Sequence, residues 1–167
     1  MSESAESLRS LVTAAAARPE VVLAVRQLYD DVQAEIQKRQ PICQISGRCC
    51  KFEEYGHRLF VTTLELAAFM ASGGGDAPQS THADGKGCRF QVGKLCGVHT
   101  IRPFGCRMFF CDTTATEWQQ ATYERFHGRI KALHEELGVP YRYVEWRAAL
   151  NEVISRPVAN PHLGLTP

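Results

Sequence analysis

No run of apolar residues in this chain approaches the roughly 20 that a membrane-spanning helix needs, so no membrane partner is expected. Charge of one sign is also lacking. Nineteen Lys and Arg face 18 Asp and Glu, which leaves a net charge of +1. The composition therefore offers no electrostatic footprint for nucleic acid or for an anionic membrane. There is no internal repeat and no long low-complexity tract. The run Gly73-Gly74-Gly75 has no Lys-Ser/Thr behind it, which excludes a phosphate-binding loop. No nucleophile elbow, Cys–His–Asn arrangement or Ser/His/Asp order stands out, so no catalytic residue is assigned and enzymatic activity is left open. The first residues, MSESAESLRS, carry Glu3 and Glu6 and no basic region followed by an apolar run. No secretory signal is read there, and the expected compartment is the reducing cytoplasm, where structural disulfides are rare.

What is present fits one globular domain. The chain has 167 residues, 44% of them hydrophobic and 22% charged. A chain of this length buries roughly two-thirds of its unfolded surface, so it does not need metal or disulfides merely to fold. Ser4 to Ala17 is Ala-rich and reads as a short helix or frayed arm. Pro19 suits a first helical turn, and Val21, Val25, Leu28, Val32 and Ile36 recur at helical spacing up to about Arg39. His57 to Thr62 reads as a short strand. Thr62 and Glu65 form a capping box ahead of Leu64, Leu66, Phe69 and Met70, in a helix that should stop at the glycine run. Residues 73–87 read as a loop. Thr114 and Glu117 form a second capping-box pattern. Trp118, Phe126, Ile130, Leu133 and Leu137 then make one helix face, ended by Gly138 and Pro140. A last helix is expected near Val144 to Ser155. The expectation is an α+β chain, mainly α, with helices at about 19–39 and 114–155 packed around a small centre of loops and a hairpin. Residues 1–156 form the domain and 157–167, with three prolines, a flexible tail.

Seven cysteines lie in that centre, as Cys43-x5-Cys49-Cys50 and Cys88-x7-Cys96-x9-Cys106-x4-Cys111. None falls in the flanking helical regions, and an odd number cannot all pair as disulfides. Thiolate is a soft ligand that suits zinc and iron–sulfur clusters. Cys88-Arg-Phe-Gln-Val-Gly-Lys-Leu-Cys96 reads as a hairpin turning near Gly93-Lys94, which brings its two cysteines to one place. The spacing matches neither paired zinc knuckles nor the cysteine run of bacterial ferredoxins, so it indicates metal binding without naming the metal.

Cys49-Cys50, Cys88-Arg-Phe, Gly93-Lys-Leu-Cys96 and Ile101-Arg-Pro-Phe-Gly-Cys106-Arg-Met-Phe-Phe-Cys111 together resemble the YkgJ-type cysteine-cluster family. The resemblance covers about residues 43–111, and its most specific piece is Arg102 to Arg107. It implies a zinc- or iron-chelating domain. Here Cys43 stands farther from the Cys-Cys pair than is common in that family, and His99 replaces an aromatic often found before the Arg-Pro pair.

A tetrahedral zinc or a cubane cluster takes four protein ligands. The set favoured on spacing is Cys49, Cys88, Cys96 and Cys106, with Cys43, Cys50 and Cys111 as extra ligands or supporting thiols. Cys49 and Cys50 are neighbours, so they converge on one ion only through an irregular turn. Arg102 and Arg107 flank Cys106 and are candidates to balance thiolate charge. Pro103 should fix the turn that presents Cys106. His99 is a candidate fourth ligand with three cysteines, while His127 and His134 read as helix histidines satisfied within the fold. The expected function is metal binding by cysteine thiolates, with zinc or an iron–sulfur cluster as the cofactor. The alternative is an iron–sulfur oxidoreductase or a cluster-dependent modifying enzyme. Zinc implies a colourless protein that collapses on chelation. An iron–sulfur cluster implies a brown one. No protein partner is indicated.

Overall fold

The computed structural model describes residues 6–79 and 86–154. The start of the Ala-rich segment at Ser4, part of the glycine loop, and the proline-rich tail lie outside the described residues. The elements run α1 (Leu8–Ala16), α2 (Pro19–Arg39), α3 (Phe52–Tyr55), β1 (Phe60–Thr62), α4 (Thr63–Ala71), β2 (Gln91–Val92), β3 (Leu95–Cys96), α5 (Phe104–Arg107), α6 (Thr116–Leu137), β4 (Tyr143–Glu145) and α7 (Trp146–Val153). The described residues are mainly helical with two small antiparallel sheets. None of the described helices is long and apolar enough to cross a membrane.

Helix α2 takes the expected bounds, with Pro19 in its first turn. Helix α4 begins with the expected capping box. The Thr62 hydroxyl accepts from the Glu65 amide, and the Glu65 carboxylate accepts from the Thr62 amide. This helix is buried on every side from Thr63 to Phe69, as a central helix must be when neighbours cover it all round. It divides two cores. On one side Leu66 and Phe69 pack with Phe52, Phe90, Trp146 and Leu150. On the other Leu64, Ala67 and Ala68 pack with Val21, Leu28, Phe104, Met108 and Phe126. Each fully buried side chain of this size contributes roughly 1.5–3 kcal/mol, so the helices hold together through these two cores.

Two expectations need correction. The Thr114–Glu117 pair does not cap α6, whose N-cap is Ala115 with no side-chain cap; instead the Asp112 carboxylate caps the preceding turn, accepting from the Thr114 amide at 2.9 Å. A carboxylate is the stronger acceptor, and it starts a 3-10 turn at Thr113–Ala115 that leads into α6. The segment expected as one helix from Val144 instead begins as β4. It pairs with β1 in the register Phe60↔Glu145, Val61↔Val144 and Thr62↔Tyr143.

Glu53 ties α3 to both the last helix and the cysteine hairpin. Its carboxylate pairs with the Arg147 guanidinium and accepts from the Gly87 amide at 2.8 Å. The Arg147 hydrogen bond is the main reason that its carboxyl is held at about 2 rather than 4.5. A depressed native value means that stability is present above the unfolded value and is lost as pH falls through the native one. Glu53→Gln is therefore expected to flatten the acid arm of the stability curve between about pH 4.5 and about pH 2. Unfolding midpoints across that range check it, and an unchanged acid arm would refute it.

Candidate metal centre

Four separate segments bring the cysteines together at the seam of the two cores. Gly47, at a φ of 72°, turns the chain into a 3-10 turn at Arg48–Cys50. A Cβ at Gly47 would lie 2.6 Å from Gln91 Nε2, and Gln91 donates from that atom to the Gly47 carbonyl at 3.2 Å. Glycine is thus required both by conformation and by contact. The tight turn is the irregularity that two adjacent cysteines need. It leaves Cys50 buried and Cys49 half-buried beside it.

Gly87 performs the matching task on the hairpin. Its φ is 75°, and a Cβ there would lie 2.8 Å from the Cys50 carbonyl. That close approach lets the Cys88 amide donate to the same carbonyl at 2.8 Å. Strands β2 and β3 then pair Gln91 with Cys96, returning Cys96 towards Cys88 as the hairpin pattern predicts. Cys106 arrives from the short helix α5. Phe104 and Met108 are anchored in one core, while Cys106 packs against the other.

The hub of this arrangement is Cys50. Its thiol makes hydrogen-bond contact with Cys49, Cys88 and Cys96. These neighbours push the Cys50 thiol far up. The same contact, from the Cys50 side, lowers its partners: Cys49 to about 7 and Cys96 to about 6, with Cys88 also lowered. The charge of Arg102 adds to the lowering at Cys49 and Cys96. Cys106 is pushed well up by burial and by the neighbouring cysteines. The set favoured on spacing, Cys49, Cys88, Cys96 and Cys106, is thus brought to one region, with Cys50 at its centre rather than beside it. Cys43 is exposed, and Cys111 is half-buried with its sulfur 3.6 Å from Ser46 Oγ. Both line a cavity that Cys49, Cys50, Cys96 and Cys106 also line.

Among the described residues, no group of three or more His, Cys, Asp or Glu stands in an arrangement that could hold a metal ion as the side chains lie.

The remaining candidates fall into place around the thiols. Arg107 donates through Nε to the Arg102 carbonyl and through Nη2 to the Thr100 carbonyl, both at 2.9 Å, and lies over the Tyr29 ring. It therefore holds the turn on which Cys106 sits. Pro103 caps α5, and its carbonyl accepts from the Cys106 amide at 3.1 Å. Arg102 donates to the His99 carbonyl at 2.6 Å. His99 is exposed and lines the cavity. His134 Nδ1 bonds the Val139 carbonyl at 2.9 Å, and His127 bonds the Tyr141 hydroxyl at 3.2 Å. Trp146, expected as plain core, has one more property. Its indole N–H is buried with no full hydrogen-bond partner, and it faces the Cys88 thiol, which it helps to lower. Two cavities flank Cys49 and Cys106, one of about 300 Å³ and one of about 230 Å³.

Compared with known proteins, the chain matches no family model, no curated protein and no solved structure.

Proposed function

We propose that this chain binds a thiophilic metal, as zinc or as an iron–sulfur cluster, through cysteine thiolates centred on Cys50. The observation that carries the reading is the gathering of Cys49, Cys50, Cys88, Cys96 and Cys106 from the 48–50 turn, the hairpin and α5 into one packed cluster. Metal ligation needs thiolates, and Cys49 and Cys96 ionise at about 7 and about 6. Ligation also displaces the proton that Cys50 holds between its neighbours. Once that proton leaves, the resulting thiolates repel one another, and a cation offsets that charge.

The surroundings fit a thiolate site. The buried indole N–H of Trp146 lies beside Cys88 and helps to lower it, as an N–H donor stabilising sulfur charge does. Arg102 supplies positive charge beside Cys49, Cys96 and Cys106. The order of the cysteine pieces, which resembles the YkgJ-type family, points to the same chemistry. Cys49, Cys50, Cys88 and Cys96 are the principal ligands, Cys106 is next, and Cys43 and Cys111 stand outside the core set.

Elemental analysis and an absorption spectrum on protein purified without air test this. The expected result is about one equivalent of zinc in a colourless protein, or iron with broad absorption near about 400 nm. Metal removal should also change Trp146 fluorescence, because the indole faces a ligand. Protein that contains neither metal, and that takes up neither from solution, would refute the reading. Iron with reversible bleaching on reduction would favour the redox alternative.

A further inference from the structure

The larger cavity carries a charge pattern that the thiols do not account for. It lies between the 45–49 segment, the hairpin tip and the 102–111 turn, and it measures about 300 Å³. That is the lower end of the range for small-molecule sites. Four cationic side chains line it: Arg48, Lys94, Arg102 and Arg107. No described carboxylate does. None of the four takes part in an ion pair among the described residues, although six other cations of the chain do. Arg107 spends its donors on carbonyls, and Arg48 lies over the Tyr55 ring. Only one donor of Arg102 is engaged, by the His99 carbonyl.

A zinc ion with four thiolates carries a net charge of about −2. Four cations exceed that, so a surplus of positive charge remains even with the metal in place. The thiols of Cys49, Cys50, Cys96 and Cys106 form its floor, and Ile45, Leu95, Phe109 and Phe110 give it an apolar side. Ile45 and Leu95 are more than half exposed at 61% and 63%, a position that costs free energy unless something covers them. Ile45 also sits at a φ of 49°, which a β-branched residue adopts only when its surroundings impose it.

We propose that this cavity binds a small organic anion, an oxyanion headgroup on an apolar body. Arg102, with Lys94 and Arg48 at the mouth, takes the headgroup. Ile45, Leu95 and Phe110 take the body. The site shares a wall with the proposed metal ligands Cys49, Cys50, Cys96 and Cys106, but its cations and apolar side chains are the chain's own and do not require the metal.

Titration of the full-length protein with phenyl phosphate tests the proposal, followed by calorimetry and by backbone amide shifts. Inorganic phosphate and benzyl alcohol serve as the separated halves. Phenyl phosphate should bind at least about tenfold more tightly than either half, with shifts at residues 45–48, 94–96 and 102. Arg102→Gln should weaken it by about tenfold. The pair Arg48→Gln with Lys94→Gln, at exposed positions that leave the fold intact, should weaken it by at least about threefold. Phenyl phosphate that binds no better than inorganic phosphate, shifts elsewhere on the molecule, or affinity unchanged in both variants would overturn the proposal. Metal content on the same samples separates the two readings. Protein that neither contains nor takes up metal but binds phenyl phosphate refutes the metal and supports the anion site. Metal-loaded protein indifferent to phenyl phosphate does the reverse.

Discussion

Cys50→Ala is expected to abolish metal binding, with metal content falling from about one equivalent to near zero. Spacing alone ranks Cys50 below Cys49, Cys88, Cys96 and Cys106. Geometry reverses that order, because Cys50 is the thiol in contact with three others and is itself buried. Without it, Cys49 on its turn and Cys88 and Cys96 on the hairpin lose the group that joins them. The sulfur leaves a small gap worth about 1 kcal/mol, which is minor. The larger loss is the ligand term. Metal at about 1,000 times its dissociation constant stabilises the native state by about 4 kcal/mol, and the variant forfeits this. The helices should remain, because α2, α4 and α6 are held by a core that contains no cysteine. Chelation should likewise loosen the cysteine segments without unfolding the whole chain. Cys43→Ala is the control, since Cys43 is exposed and outside the contact set. Elemental analysis of both variants, with thermal unfolding before and after chelator, checks this. Full metal content in Cys50→Ala would refute the assignment of Cys50 as the hub.

The features legible in the sequence were those with a local cause. The helix at Pro19–Arg39 follows from its apolar spacing and its proline, and the capping box at Thr62 and Glu65 follows from two residue types three apart. The hairpin with Cys88 and Cys96 at its ends follows from Gly93-Lys94 between short alternating runs. What escaped depends on distant partners. The pairing of β1 with β4 joins Phe60 to Glu145, and nothing in either triplet names the other. The Thr114–Glu117 pair does not form a cap, because the Asp112 carboxylate, a stronger acceptor than a hydroxyl, takes the Thr114 amide and sets a 3-10 turn ahead of α6. The rank of Cys50 was hidden because neighbouring side chains diverge in an extended chain, and only the 3-10 turn after Gly47 reverses this. Two signals were nonetheless present. Gly47 lies two residues before the cysteine pair and Gly87 directly before Cys88, each where the backbone must take a positive φ. The charge surplus of the cavity was not readable at all. A net charge of +1 says nothing about four cations gathered on one wall.

Glu65→Ala is expected to destabilise the protein by about 3–5 kcal/mol and to displace Cys106 as well. The capping box explains only half of this residue. Its carboxylate is 3% exposed and accepts two backbone amides, Thr62 at 2.8 Å and Phe104 at 3.0 Å. The second bond joins the start of α4 to the start of α5, the helix that carries Cys106. Alanine leaves both amides buried without an acceptor, at about 1–3 kcal/mol each, together with a gap in the core. Glu65→Gln keeps the volume and one acceptor oxygen, but its amide group then faces an N–H donor, so about half the loss should remain. Burial is the dominant influence on the Glu65 carboxyl and raises it, while the Thr62 and Phe104 amides oppose. The native state therefore holds this proton more tightly than the unfolded chain does. Stability from this group is greatest below the ordinary carboxylate range and falls as pH rises towards the raised native value. Glu65→Gln should remove that fall. Unfolding midpoints of both variants between about pH 4 and about pH 8 measure the effect, and metal retention reports on Cys106. A Glu65→Ala protein within about 0.5 kcal/mol of the parent would show that the two amides find other acceptors, and the α4–α5 joint would lose its basis.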